Sequence, residues 1–387
     1  MIRNISVGID VGSSVVRVVV GEFLKGETNP RVLGVGEAPA FGIRHGYVVN
    51  SAQAIASIKN AVSAAEKSSG ITIRRAFVAL SGATLRGETG TGSTIISKAD
   101  GEVTALDVQK AMDDAEENLS LNNKKIIHTY PVSFRLDGKA IEGRLEGMRG
   151  TKLEIKALFI TYSVVHLEDL LGTLAEAGVE TIDIVASPVA AEGLCLSEKQ
   201  KIVGVALVDI GAEKSSVSVF ENGILVSVHT FSIGSTDITN DIALGLKIPL
   251  ELAENLKLGT ANEEVPKKKL EEIIEARLCD IFESIDNHFK KIKRSELLPA
   301  GVVFIGGGSA TTGLLELSKS MLKLPASIGT TEVFNNAKTK LRQSAWFTAL
   351  GLLSAGKGGG SFSTGALPGL LRDLKNSIKS GLKQLMP

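Results

Sequence analysis

Ala206-Leu-Val-Asp209-Ile-Gly211-Ala-Glu-Lys-Ser-Ser-Val-Ser-Val-Phe220 is the stretch from which the fold of this 387-residue chain can be read. An apolar run enters an Asp-x-Gly bend, a short polar loop follows, and an alternating run then meets the turn Glu221-Asn222-Gly223. Alternation on either side of a polar turn predicts two β-strands of one hairpin, with an acidic residue at the bend. The same design stands near the N-terminus, in Val7-Gly-Ile-Asp10-Val-Gly12-Ser13-Ser14, followed by Val15 to Val20 with Arg17 inside. One hairpin used twice is an internal repeat, and repeats fix architecture before individual elements do. Two such hairpins facing each other, each with an Asp and backbone amides at its tip, would grip a Mg-nucleotide between two lobes.

A nucleoside triphosphate needs amides near its phosphates, carboxylates for hydrated Mg2+ and a close-approach surface for its base. Gly12, Ser13 and Ser14 are small, so the first turn can present amides and a hydroxyl to phosphate oxygens. Asp10 and Asp209 are placed to hold Mg2+ through water, as that reluctantly dehydrating ion prefers. Further on, Gly301-Val-Val-Phe-Ile305 reads as a buried strand that meets Gly306-Gly307-Gly308-Ser309, with a helix after it. Those glycines permit backbone approach to base or ribose, and the helix start supplies oriented amides. Each piece alone is a common turn or loop. The order hairpin, hairpin, strand-GGGS-helix in one chain is what points to a nucleotide cleft.

Composition narrows the class. Lys and Arg number 43 against 43 Asp and Glu, so bulk charge gives no case for nucleic acid. Aromatics are 4% with Trp346 the sole Trp, which disfavours base-stacking platforms. Cys195 and Cys279 suggest a reducing compartment without a disulfide framework. Met-Ile-Arg-Asn runs straight into a strand, so no signal peptide is expected. No apolar run has bilayer-spanning length, and the histidines lack metal-ligand spacing. The expectation is a cytoplasmic α/β protein without a protein-ligated metal site.

Between the motifs, Ser51 is the expected N-cap of a helix with Ile55, Ile58 and Val62 on one face, ending at Gly70. From Ser81 the texture turns glycine-punctuated and polar, Thr104 with Asp107 opens a helix, and strand patterns flank it. This predicts an inserted α+β module of about 80 residues. Pro188 is expected in the first turn of a helix running to Leu196. Asp237 or Thr236 would cap a helix after the second hairpin. A long helix is expected from about Leu270 to Ile292, preceded by Lys267-Lys-Lys as solvated surface. Residues 356–366 (GKGGGSFSTGA) read as a flexible linker spanning about 18 Å on average. Beyond it, Leu367, Leu371, Leu374, Ile378, Leu382 and Leu385 share one helical face, opposite Arg372, Lys375, Lys379 and Lys383. A basic amphipathic helix on a tether reads as a membrane-surface anchor.

Two phosphate hairpins and an adenosine loop in this order resemble the actin, Hsp70 and sugar-kinase superfamily. Nearly the whole chain resembles the FtsA family, bacterial cell-division actin homologues that tether FtsZ filaments to the membrane. The resemblance is carried by Ile233-Gly-Ser-Thr-Asp-Ile-Thr-Asn-Asp-Ile-Ala243, Glu271-Glu-Ile-Ile-Glu-Ala-Arg277, Leu298-Pro-Ala-Gly-Val-Val-Phe-Ile-Gly-Gly-Gly-Ser309 and the tail helix. It implies an α/β, actin-like two-lobed ATPase fold with an inserted small α+β subdomain of the 1C type and a C-terminal amphipathic helix. Subdomain 1A would be 1–80 with 162–198 and 341–355, 1C would be 81–161, 2A 199–235 with 301–340, and 2B 236–300. The helix would occupy 367–387.

The resemblance implies ATP and Mg2+ as cofactors. Gly12, Ser13 and Ser14 would line the first phosphate loop, and Gly211, Ala212, Glu213, Lys214 and Ser215 would form the second. Asp10 and Asp209 would hold Mg2+. Gly234 would approach the sugar-phosphate side, Glu254 and Lys257 would reach ribose, and Gly306, Gly307, Gly308 and Ser309 would hold adenosine. Arg277 lies in the subdomain that receives the FtsZ C-terminal tail. Implied partners are that tail, further copies of the chain in a filament, an anionic membrane surface, and other division proteins through 1C, with no nucleic acid. On the membrane, Leu367, Leu371, Leu374, Lys375, Ile378, Lys379, Leu382, Lys383 and Leu385 would make the contact, at the inner face of the cell membrane at the division site. One departure matters. The family usually has Gly-Gly-Thr where this chain has Gly211-Ala212-Glu213-Lys214-Ser215. Glu213 adds negative charge near the phosphates and Lys214 offsets it. Nucleotide binding is expected to survive if both side chains point outward, and ATPase activity to be weak at most. Alternatives of the same fold are a PilM-like type IV pilus scaffold, which would need no amphipathic tail, and a small-molecule kinase, which would need a catalytic Asp in the cleft.

Overall fold

The computed structural model describes residues 4–355 except 28, 142–144, 146, 262, 264, 332 and 334–338. The expected linker and tail helix lie outside the described residues. Valine-rich alternation builds β1 (Asn4–Val11) and β2 (Val15–Phe23), paired antiparallel from Asn4↔Phe23 to Val11↔Val16, so that Asp10 stands opposite Arg17. β3 (Arg31–Pro39) continues the meander. The short hairpin β4 (Ile43–Arg44) and β5 (Tyr47–Val48) then leads into helix α1 (Ser51–Ser69). Asn50, not Ser51, caps α1: its backbone is extended and its side chain accepts from the Gln53 amide, while Ser51 is already helical. Gly70 closes the helix in the left-handed conformation, the expected stop. β6 (Arg75–Leu80) returns parallel to β1.

The inserted segment follows as β7 (Arg86–Ile95), α2 (Ala105–Glu117), β8 (Lys124–Leu136), β9 (Lys139–Ile141) and β10 (Lys152–Ser163). Thr104 and Asp107 form a reciprocal capping box at the start of α2. Val108, Ala111, Met112 and Ala115 on that helix bury against Leu153, Ile155, Ala157 and Phe159 of β10, giving the insertion its own core. α3 (Val164–Glu176) leads to β11 (Glu180–Ala186), which completes a first sheet of order β11-β6-β1-β2-β3.

Pro188 does sit in a first turn, but the expected single helix is two short turns, α4 (Ser187–Ala190) and α5 (Glu192–Cys195). After α6 (Glu198–Val203), β12 (Val205–Ile210) and β13 (Ser215–Glu221) pair antiparallel from Val205↔Phe220 to Ile210↔Ser215, repeating the first hairpin, and β14 (Ile224–Phe231) extends it. α7 (Ser235–Leu246), α8 (Leu250–Lys257) and α9 (Lys267–Lys291) pack over this sheet through Ile238, Ile242, Ala253, Leu278, Phe282 and Phe289. Gly234 is the N-cap residue of α7, and Asp237 serves the cap from inside the helix by accepting the Gly234 amide at 2.9 Å. α9 begins earlier than the periodicity predicts, so Lys267 to Lys269 form its first turn, where Lys269 Nζ donates to the Gly245 carbonyl. β15 (Val302–Ile305) runs parallel to β12, α10 (Leu314–Leu322) and β16 (Ala326–Ile328) follow, and α11 (Phe347–Leu353) crosses back to pack on β1. The second sheet has the order β16-β15-β12-β13-β14-β7-β10-β8-β9 and reaches the insertion through the pair His229↔Arg86.

Candidate functional site

A cleft of about 320 Å3 opens between the tips of the two matching hairpins. Gly12, Ser13 and Ser14 line it from the β1–β2 turn, Gly211, Ala212 and Lys214 from the β12–β13 turn, and Gly306 and Gly307 from the end of β15. Glu254 and Lys257 line it from α8. Ser13 Oγ accepts the Gly46 amide at 3.0 Å, which ties the first turn to the β4–β5 hairpin.

Asp10 and Asp209 stand one residue before the ends of the apolar strands β1 and β12, so both half-buried carboxyls are carried to the floor of the cleft. Burial raises the pKa of Asp10. Burial and then the charge of Asp10 push Asp209 up to about 6. Lys214 and Arg17 oppose both rises.

In the second turn the outward condition is met by Glu213 and not by Lys214. Glu213 does turn away from the cleft: its carboxylate lies 2.7 Å from Arg44 Nε and accepts the His45 amide at 2.6 Å. Lys214 points inward, with Nζ donating to Ser81 Oγ at 2.6 Å. Glu213 and Lys214 belong to the bend between β12 and β13, and their separate partners, Arg44 and His45 for one and Ser81 for the other, set their opposite directions. Burial lowers the Lys214 pKa, while Asp10 and Asp209 draw it back up.

Not every expected residue reaches the cleft. Ser215 is buried and donates to the Ile233 carbonyl at 2.8 Å. Gly234 packs against the second loop so tightly that a Cβ would stand 2.3 Å from the Ala212 carbonyl oxygen. There the Ser235 and Thr236 amides donate to the Gly211 and Ala212 carbonyls, at 2.9 and 2.8 Å. Gly308 packs on Ile210, and Ser309 Oγ donates to the Gly306 carbonyl at 2.8 Å. These residues brace the loops that line the cleft. The expected helix directly after the glycines is a 3-10 turn, Gly307–Ala310, with α10 starting only at Leu314. Lys257 and Glu254 pair at 2.7 Å, and Lys257 Nζ also donates to Thr239 Oγ1 and the Ser235 carbonyl, tying α8 to α7. Arg277 lies on α9, paired with Asp241 at 2.7 Å and Asp280 at 3.1 Å.

Arg17 and Thr348 line the cleft and were not among the expected site residues. Arg17 stands opposite Asp10 and its guanidinium lies 5.5 Å from the centre of the Trp346 ring. A cation inside a valine run was the signal available for it. Thr348 Oγ1 donates to Asp209 Oδ2 at 3.5 Å from α11, a partnership no local pattern announces.

The residues can be tested for the divalent ion that the fold implies. Hydrated Mg2+ is drawn by carboxylates whose charge is uncompensated. Here the acids lining the cleft are Asp10, Asp209 and Glu254 and the bases are Arg17, Lys214 and Lys257, so they balance. The Lys214 ammonium shares the enclosed space with both aspartates. This donor set does not fit the role expected of Asp10 and Asp209 in holding Mg2+.

Comparison with known proteins agrees across the chain. The family described as "Cell division protein FtsA" matches residues 206–351, and "SHS2 domain inserted in FTSA" matches residues 82–161. The chain is 30% identical over 343 residues to the cell division protein FtsA of Bacillus subtilis, covering 83% of this chain and 77% of that one. Among solved structures, the PilM-PilN type IV pilus biogenesis complex matches with a TM-score of 0.68 at 18% identity, over 91% of this chain and 98% of that one. MreB5 of Spiroplasma citri bound to ADP matches with a TM-score of 0.53 at 10% identity, over 91% and 96% of the two chains. These likenesses establish an actin-like fold with an SHS2 insertion.

Proposed function

The chain belongs to the FtsA family of cell division proteins, and from that premise we propose that it is an ATP-binding, actin-like protein that polymerises and anchors FtsZ filaments to the cytoplasmic membrane. The observation that supports this most is the cleft closed by two matching hairpins, with a phosphate-sized turn at each tip and a glycine loop beside them. MreB5, of the same fold, was solved with ADP. Amides of the two turns would take the phosphates and Gly306 and Gly307 would lie against base or ribose. Bound nucleotide would favour the closed, polymer-competent arrangement, since a ligand shifts an equilibrium by its differential affinity for the two states.

The membrane contact is assigned to the basic amphipathic helix 367–387. Among the described residues no helix is long and apolar enough to cross a membrane. Full-length protein is expected to pellet with anionic vesicles and to form filaments on them only when ATP is present, as seen by negative-stain microscopy. Soluble monomers under every condition would favour the PilM-like scaffold reading.

The FtsZ tail is assigned to the surface around Arg277, and the insertion to other division partners. Arg277→Glu is expected to weaken binding of a labelled FtsZ C-terminal peptide about tenfold or more, the scale of losing a charged contact. The reversal also sets an acid beside Asp241 and Asp280, so a thermal melt must accompany the anisotropy titration. An unchanged affinity would remove Arg277 from the peptide site.

A further inference from the structure

We propose that Lys214 is the resident cation of the cleft, so that this chain binds its nucleotide without a divalent metal ion. The inference rests on the nucleotide reading above and goes beyond it in assigning the charge that neutralises the phosphates.

The geometry makes the ammonium a fixed part of the site. Glu213 is held on the outside by Arg44 and the His45 amide, at 2.7 and 2.6 Å, which leaves Lys214 as the charged side chain of this turn that lines the cleft. From the second turn Lys214 crosses to the other lobe, where Ser81, just after β6, accepts from Nζ at 2.6 Å. An ammonium carries three N–H donors. One is used by Ser81, and the others are available to phosphate oxygens between the two turns. A lysine ammonium suits that task as a compact point charge, and charge-assisted hydrogen bonds to phosphate are among the stronger ones.

The charges around it favour the same assignment. Arg17 stands opposite Asp10 in the hairpin register, and Lys257 pairs with Glu254 at 2.7 Å. With Lys214 set against Asp209, each acid lining the cleft has a cation of the protein's own to offset it. A dication added here would meet compensated carboxylates and an ammonium already in place. Like charges in an enclosed, poorly solvated space repel strongly. Metal and Lys214 are therefore alternatives, and the chain carries the lysine in its covalent structure.

The test is calorimetric titration of ATP into the full-length protein, once in excess EDTA and once in excess Mg2+. The wild-type Kd is expected to differ less than about threefold between the two buffers. Lys214→Met keeps the apolar stem and removes the charge. It is expected to bind at least about thirtyfold more weakly in EDTA, the loss of one charge-assisted hydrogen bond, and to regain most of that in Mg2+. Lys214→Arg keeps the charge and is expected to retain metal-independent binding, which separates charge from folding; thermal melts of both variants check the fold. A wild-type loss of more than about thirtyfold on metal removal would overturn the proposal, as would a Lys214→Met variant that matches wild type in both buffers. Wild-type protein that binds no ATP in either buffer refutes the nucleotide reading itself, and this inference with it.

Discussion

Gly306→Ala is expected to abolish measurable ATP binding, a loss of at least a hundredfold, and to lower the melting temperature by several degrees. Gly306 has φ 85° and ψ 171°, a region of backbone space that is essentially reserved for glycine. A side chain there faces more than torsional strain. Its Cβ would lie 2.2 Å from Asp209 Oδ1 and 2.5 Å from the Ile210 carbonyl oxygen. Neither neighbour can give way easily, because β12 is clamped between β13 and β15 and Asp209 is enclosed at the strand end. The strain alone is worth about 1–3 kcal/mol. Relief would come from shifting the β15 loop and Asp209, which are the walls of the cleft. Gly172→Ala, on α3 and not among the residues lining the cleft, is the control. No atom lies within 4 Å of its Cβ position, so melting and affinity should change little. Calorimetry with ATP and a thermal melt read both variants. Wild-type affinity in Gly306→Ala would show that the glycine loop is no part of the nucleotide site.

Removing residues 367–387 is expected to release the protein from anionic vesicles by at least a hundredfold in partition, while ATP affinity stays as it was. That segment lies outside the described residues, and its sequence carries the expected effect. Leu367, Leu371, Leu374, Ile378, Leu382 and Leu385 recur at helical spacing, and each buried aliphatic side chain contributes about 1.5–3 kcal/mol when fully removed from water. Arg372, Lys375, Lys379 and Lys383 add about 1 kcal/mol each near an anionic surface. Neutral vesicles or high salt should therefore weaken the full-length protein's binding markedly, because screening acts on the lysine stripe. Replacing Leu371 and Leu374 with Asp should approach the effect of the deletion. If the truncated protein pellets with anionic vesicles as the full chain does, the anchor lies elsewhere in the molecule.

Much of the cleft was legible because its parts are local. The Asp-x-Gly bend, the alternation of Val15 to Val20 and the Gly306-Gly307-Gly308 run each fall within a few residues, where strand period and turn chemistry act directly. The Thr104–Asp107 capping box and the Gly70 stop were readable for the same reason. Asn50 and Ser51 are equally suited by type to cap α1, and only the backbone angles decide that Asn50 stands at the junction. Gly308 and Ser309 brace the loop behind the lining glycines, a role that composition does not distinguish from facing a ligand.

What the chain by itself determined is the repeated hairpin, the strand-glycine motif and the amphipathic insertion helix, since periodicity and turn residues act through neighbours. Only the tertiary structure decided that Lys214 faces inward to Ser81, that Glu213 is held by Arg44, and that Thr348 donates to Asp209. Residue type shows that a turn carries an acid and a base but not which of them faces the cleft. That choice is made by partners far along the chain, brought close only when both lobes have packed.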